Sequence, residues 1–454
     1  MPTIDQNRIT GTQFWRRPQL DRRLFFKHLG SAVGGYMLMP SRPAEMVASA
    51  AAAPINKAKN VIFVMMRGAP SHTDTFDLKQ GPWLPASFNP TSYDGMAFPQ
   101  GLFPKLAEQI DNIALMRSVK PWVVVHQLGQ DWVEIGRNPI SGLSRIAPHI
   151  GSVVSLELGD RTKPLPAFVN LNTSNGPSSG YLSPVNAPFY VSPNGASLPN
   201  TRHPDAQATF DRRFALMQDL DSEIRAASTL NPAGEEMEQF NTAARKLMYS
   251  PDIDKIFVFD AAERARFGNS GFGNACITAR NLLRSGLGTR FVQINVGSWD
   301  HHANIYTGPL NAANPASLGR AFDAGLGTLI EDLATDGLLD STLVIAMGEF
   351  GRTVGALNIT GGRDHYAQQS VLVAGAGVRG KRAIGETDAG GRNAIEFGWK
   401  NDRPIRTEDI EATIYSALGI NWLTIRRDDP FGRGFEYVPE ANTGAYEPVH
   451  ELWS

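Results

Sequence analysis

The sequence predicts an α/β fold with a large, mostly parallel central sheet flanked by helices on both faces. Three observations point to it. Continuous apolar runs such as Val61-Ile62-Phe63-Val64-Met65-Met66 and Leu343-Val344-Ile345-Ala346-Met347 mark strands buried on both faces. From residue 289 onward, strand and helix patterns alternate in the order that builds a parallel sheet. Strings rich in His, Asp, Glu and Arg follow on or lie close to such runs, at 297–302, 348–352 and 362–365. The strand tips of one sheet edge are where α/β proteins gather their chemistry.

Taken in order, ordered structure is expected from about Lys57, and the 61–66 strand runs into Arg67-Gly68-Ala69-Pro70-Ser71-His72-Thr73-Asp74, a loop dense in polar groups. Residues 103–112 read as a helix, and Ile113-Ala114-Leu115-Met116 as a second strand leading to Arg117 and Ser118. The stretch 164–204 is rich in Pro, Asn, Ser and Gly and reads as an elaborated loop region over one sheet edge. It forms the main part of a loop-rich insertion, around 164–210, within a single domain spanning 54–454. Helical patterns occupy 212–227, 232–249, 261–266 and 274–286, with Gly286 as a C-terminal stop. Then come a strand at 289–296, a helix at 318–337, and strands at 341–347 and 370–374. A final helix covers 407–418, with Thr407 as N-cap.

Composition narrows the function classes. At 42% hydrophobic and 19% charged residues, the 454-residue chain is globular, and a formal net charge of −2 argues against nucleic acid as partner. Cys276 is the single cysteine, so no intrachain disulfide forms. Residues 1–53 carry an Arg22-Arg23 pair, a mildly apolar stretch over 29–39 and the small-residue run Ala48-Ser49-Ala50-Ala51-Ala52-Ala53. That is the layout of a twin-arginine export signal and linker. The expected partner is the twin-arginine translocation machinery, and the expected location is the periplasm or envelope of a bacterium. The apolar stretch contains Gly30, Gly34 and Gly35 and is too short to span a bilayer securely. The mature chain is therefore expected to have no membrane span.

The polar strings supply the candidate site. Asp300 and His302 combine carboxylate oxygen and imidazole nitrogen, a donor set suited to Zn or Mn. The plainer alternative is a polar loop with a His stacked on Trp299. Glu349, at the end of a buried strand, needs a cation or several donors. It is read either as a metal ligand or general base, or as the salt-bridge partner of Arg352. His365 is a ligand or acid beside Arg363. Arg352 and Arg363 are candidate bidentate clamps for a phosphate or sulfate oxygen, or else surface arginines. Ser71 and Thr73 are candidate nucleophiles and His72 and Asp74 candidate ligands, against a turn capped by Asp and Ser. His126 falls in a loop and helix start that an ordered sheet brings alongside. Cys276 to Arg280 mimics the spacing of a sulfatase activation motif, but Thr278 breaks the pattern, and Cys276 reads as a buried helix residue.

Together these pieces resemble an exported, sulfatase-like bacterial family, the domain of unknown function 1501, related to the alkaline phosphatase and sulfatase superfamily. The matching segments are Gly68 to Asp77, Leu115-Met116-Arg117-Ser118, Trp299-Asp300-His301-His302-Ala303-Asn304, Met347 to Thr353 and Gly362-Arg363-Asp364-His365, together with stretches of the C-terminal helix. The resemblance implies a two-metal hydrolytic site at the strand tips. Asp300 and His302 match one ligand pair, Glu349 stands where the superfamily has an Asp, and His365 matches its last His ligand. Three departures stand out, the first being that no Ser, Thr or Cys in the 117–137 segment sits in a nucleophile motif and His126 falls about where one is expected. Arg67 and Gly68 occupy the place of a first-strand ligand Asp, and Gln130 that of a second His in the 117–137 segment. The expected function is an exported hydrolase of a small anionic phosphate or sulfate ester. The expected cofactor is a divalent metal, Zn first, with Mn, Mg or Ca as alternatives, and Ser71, Thr73 or a metal-bound water attacks. A non-catalytic envelope binding or assembly protein, and a phosphoryl-transferring mutase, are the competing readings.

Overall fold

The computed structural model describes residues 53–142, 146–227, 231–307 and 315–454. The export signal predicted over 1–53 falls, but for its last residue, outside them. Residues 54–454 pack as one unit.

Eight strands form the central sheet: β1 (Asn60–Met66), β2 (Ile113–Val119), β3 (Phe168–Leu171), β4 (Phe189–Val191), β5 (Phe291–Val296), β6 (Thr342–Met347), β7 (Gln369–Ala374) and β8 (Arg382–Ile384). Their order is β8-β2-β7-β6-β1-β5-β3-β4. β1 sits between β5 and β6, parallel to both, with Val61 level with Phe291 and Leu343. β7 alone runs against its neighbours, β2 and β6. The remaining pairings are parallel. The C-terminal ends of β1, β2, β5 and β6 therefore share one edge, and β7 begins there.

The period-2 alternation of each strand feeds two cores. Ile62, Val64 and Met66 face helices α5 (Gly271–Ser285) and α6 (Pro315–Thr335). Val61, Phe63 and Met65 face α1 (His126–Ile135), α2 (Ile150–Leu158) and α7 (Thr407–Ala417). Two further helices, α3 (Gln207–Ala227) and α4 (Asn231–Leu247), precede α5 in the chain. Every apolar residue of β1 is at most 2% exposed. At roughly 1.5–3 kcal/mol for each buried large side chain, β1 is a rigid base for the loop that follows it.

Several local expectations change. The 164–204 region is more than a covering loop, because it contributes β3 and β4, the last two strands on one side of the sheet. Strands of four and three residues between prolines leave too little periodicity to read. The 103–112 helix is a short α-helix, Pro104–Glu108, followed by a 3-10 turn, Ile110–Asn112. Thr407 is the first helical residue and Arg406 the N-cap, whose N–H donates to Asp409 Oδ2 at 2.8 Å. Cys276 is buried within α5, as the pattern indicates. No helix among the described residues is long and apolar enough to cross a membrane.

Candidate metal centre

The loops at the shared edge are held by close backbone contacts. Trp299 N–H donates to Arg67 O at 3.0 Å, which seats the post-β5 loop on the post-β1 loop. Gly68 has φ +98°, and a Cβ there would lie 2.7 Å from the backbone nitrogens of Trp299 and Asp300. Only glycine allows that approach. Trp299 is buried edge-on against Phe322 of α6. Gly351–Arg352 and His365–Tyr366 form a two-stranded ribbon with Arg352 opposite His365. Arg363 N–H donates to His301 O at 3.0 Å, tying the ribbon to the post-β5 loop. α1 begins at His126 and presses on Glu349, where a Cβ on Gly129 would stand 3.1 Å from the Glu349 Cβ.

These contacts bring His126, Asp300, His302 and His365 together, with one donor atom from each within 4.8 Å of all the others. Each imidazole is oriented by an acceptor on its Nδ1. His126 Nδ1–H donates to Glu349 Oε1 at 2.6 Å, His302 Nδ1–H to Asp364 Oδ1 at 2.9 Å, and His365 Nδ1–H to the Val124 carbonyl at 2.7 Å. In the neutral form with its proton on Nδ1, a ring so anchored turns an Nε2 lone pair inward. The Nε2 atoms of His302 and His365 are 3.1 Å apart. Asp300 Oδ1 lies 2.9 Å from His302 Nε2, 3.2 Å from His126 Nε2 and 3.8 Å from His365 Nε2. His126 Nε2 is buried without a hydrogen-bond partner.

Lone pairs and a carboxylate oxygen this close repel unless a cation sits among them. Tetrahedral coordination at about 2.0–2.1 Å places ligand atoms about 3.3 Å apart, and the separations here straddle that value. The residues therefore fit a divalent ion, and each histidine carries the outer acceptor typical of a metal-bound imidazole. Asp300 and His302 are the open side of the group, with side chains 43% and 45% exposed.

Two buried groups frame the cluster. Glu349 accepts four bonds: from Gly68 N–H at 3.0 Å, Ala69 N–H at 3.3 Å, Gln130 Nε2 at 3.1 Å and His126. Its carboxylate stands behind His126 and outside the four-residue group. Arg352, 1% exposed, uses all five N–H donors. Nε binds Ala69 O at 2.8 Å, Nη2 binds Gly68 O at 2.5 Å and Asp300 Oδ1 at 2.6 Å, and Nη1 binds Arg363 O and His302 Nε2, each at 3.2 Å. Burial pushes the Asp300 carboxyl up, but the bonded Arg352 outweighs it and holds the group below the usual carboxylate range. The bond to Glu349 raises the His126 pKa against burial. Burial lowers that of His365, reinforced by Arg352.

The remaining sequence candidates lie apart from the group. Arg363 is fully buried and pairs with Asp74 through Nε at 2.8 Å and Nη2 at 3.2 Å. Its Nη1 goes to the carbonyls of Thr353 and Gly355. It is thus a structural brace, not an anion clamp, and Asp74 is its counter-ion, further occupied by Tyr306 Oη at 2.6 Å. His72 Nε2 bonds Gly391 O at 2.8 Å, away from the cluster. Ser71 Oγ and Thr73 Oγ1 are buried 3.4 Å from each other, and neither bonds to the four residues. Sequence reasoning passed over Asp364 and the Val124 carbonyl as supports. Asp364 was visible as the acidic neighbour of His365, whereas a backbone carbonyl has no sequence signal.

A family model described as protein of unknown function (DUF1501) matches residues 58–429. No curated protein matches the sequence. Among solved structures, Ps i-CgsB in complex with k-i-k-neocarrahexaose is 11% identical with a TM-score of 0.42, covering 88% of this chain and 78% of that one. The PsFucS1 sulfatase from Pseudoalteromonas sp. is 12% identical with a TM-score of 0.37, covering 89% and 72%. The alkaline phosphatase from the Antarctic bacterium TAB5 is 16% identical with a TM-score of 0.33, covering 70% and 92%.

Proposed function

Since the chain belongs to the DUF1501 family of proteins of unknown function, whose name carries no reaction, we propose from the site itself that it is a metal-dependent hydrolase of phosphate or sulfate esters, exported by the twin-arginine route. The supporting observation is the convergence of three Nδ1-anchored imidazoles and Asp300 at one open sheet edge. His126, Asp300, His302 and His365 would hold the ion, with Zn favoured by the nitrogen-rich donor set. A divalent cation bound there supplies Lewis-acid polarisation of an ester oxygen and acidifies a bound water.

The chain's own residues do the rest. Glu349, Asp364 and the Val124 carbonyl fix the three rings in the tautomer that presents Nε2. Arg352 places a buried positive charge beside Asp300, which favours an anionic substrate over a neutral one. Metal analysis of the exported protein, with turnover of chromogenic phosphate and sulfate esters before and after chelation, tests the reading. One equivalent of ion and chelator-sensitive turnover are expected. Protein free of ion and indifferent to chelator refutes it. One observation favours a second reading, a non-catalytic envelope binding protein: the Ser71 and Thr73 hydroxyls are buried away from the cluster. Stoichiometric ion with no turnover would select that reading.

A further inference from the structure

We propose that Arg352 is an anion donor gated by the metal: one Nη1–H, held by the His302 Nε2 lone pair when that lone pair is free, is released toward an oxyanion when a cation takes the lone pair. The inference rests on the metal-centre reading above and adds an order of binding, cation before anion.

The donor count carries it. A guanidinium has five N–H groups, and Arg352 spends all five on five acceptors. The carbonyls of Gly68, Ala69 and Arg363 belong to the loops that build the edge, and Asp300 Oδ1 forms the ion pair. The fifth acceptor differs in kind. His302 gives its Nδ1–H to Asp364, so its Nε2 has one lone pair, and that lone pair receives Arg352 Nη1–H at 3.2 Å. The same Nε2 belongs to the metal-ligating group. One lone pair serves an N–H or a cation, not both.

Loading the site therefore leaves one Nη1–H of a 1%-exposed guanidinium without an acceptor, beside a His302 side chain that is 45% exposed. A buried N–H in that state demands a new acceptor. The open side of the cluster is where one can arrive. A tetrahedral oxyanion suits the position, because one oxygen can accept from Arg352 while another faces the cation. Without the ion, Arg352 has no donor to offer, and the anion finds neither partner.

Inorganic phosphate and Co2+ are the probes, since the visible bands of Co2+ report its ligands without turnover. Full-length protein loaded with one equivalent of Co2+ is expected to bind phosphate at least about tenfold more tightly than apo protein. In Arg352→Lys, Co2+ stoichiometry is expected to hold while the phosphate-induced band shift requires about tenfold more phosphate. Arg352 also holds three loop carbonyls, so guanidinium nitrogen-15 spectra of the wild-type protein supply a readout that needs no variant. Zn2+ is expected to move an Arg352 Nη1 resonance from its bonded position, and phosphate to move it again. An Nη1 signal unchanged by Zn2+, or loaded Arg352→Lys binding phosphate as tightly as wild type, overturns the gate. Failure to bind Co2+ or Zn2+ stoichiometrically overturns the metal centre, and the gate with it.

Discussion

Glu349→Gln is the sharpest perturbation of the candidate centre, because it keeps the shape of the side chain and removes only its charge and one acceptor. Glu349 is 1% exposed and collects donors from two elements: the post-β1 loop through Gly68 and Ala69, and α1 through His126 and Gln130. A glutamine can keep its carbonyl toward Gly68, His126 and Gln130, but its NH2 then faces the Ala69 N–H, donor against donor. An unsatisfied buried donor costs about 1–3 kcal/mol, and loss of charge assistance in the three remaining bonds adds about 1 kcal/mol each. The expected destabilisation is about 4–6 kcal/mol in urea unfolding of the apo protein. The centre suffers separately, since weakening the acceptor behind a metal-bound imidazole lowers metal affinity about 10–100-fold. Competition with a fluorescent chelator measures that quantity. Affinity within twofold of wild type, in a variant that is destabilised as expected, would show that His126 does not ligate the ion. It would also reduce Glu349 to a loop clamp.

Further expectations separate ligands from supports and supports from scaffold. Asp300→Asn and His365→Ala should each abolish stoichiometric zinc by elemental analysis while leaving far-ultraviolet dichroism unchanged. Asp74→Asn breaks a buried pair with Arg363 and should cost about 3–5 kcal/mol in urea unfolding, yet leave the zinc dissociation constant within threefold, since Asp74 lies outside the cluster. Gly68→Ala, with its Cβ 2.7 Å from two backbone nitrogens at φ +98°, should both destabilise the fold and weaken zinc binding, because the backbone it displaces is that of Trp299 and Asp300. Burial pushes the Glu411 carboxyl on α7 up to about 8, against only partial relief from Arg137. The folded state then binds more protons than the unfolded chain between about pH 4.5 and pH 8, so stability falls as pH rises through that window, by about 5 kcal/mol at most. Urea midpoints of wild type and Glu411→Gln at the two ends should show the fall in the first and a flatter profile in the second.

What was legible in the sequence follows from which contacts are local. β1 and β6 announce themselves because strands buried on both faces run almost wholly apolar, β5 keeps four apolar residues around the buried Gln293 and Asn295, and the residues just past their ends inherit a place on the shared edge from topology alone. That is why Asp300 and His302, past the end of β5, and His365, just before the start of the antiparallel β7, could be singled out as donors. The spacing of the chain says nothing about which polar residues at an edge meet each other. Arg363 and Asp74 are 289 positions apart and complementary in charge, and they satisfy one another before either reaches the centre. Glu349 likewise looks like a ligand from its strand-end position, but α1 arrives with Gly129 close enough to insert His126 between that carboxylate and the donor atoms. The residue with the least sequence context thus completes the centre, and the residue with the most supports it from behind. Whether a polar side chain at such an edge binds an ion or orients a ligand is decided by which neighbour reaches it first. That is a property of packing between elements far apart in the chain, which no local pattern encodes.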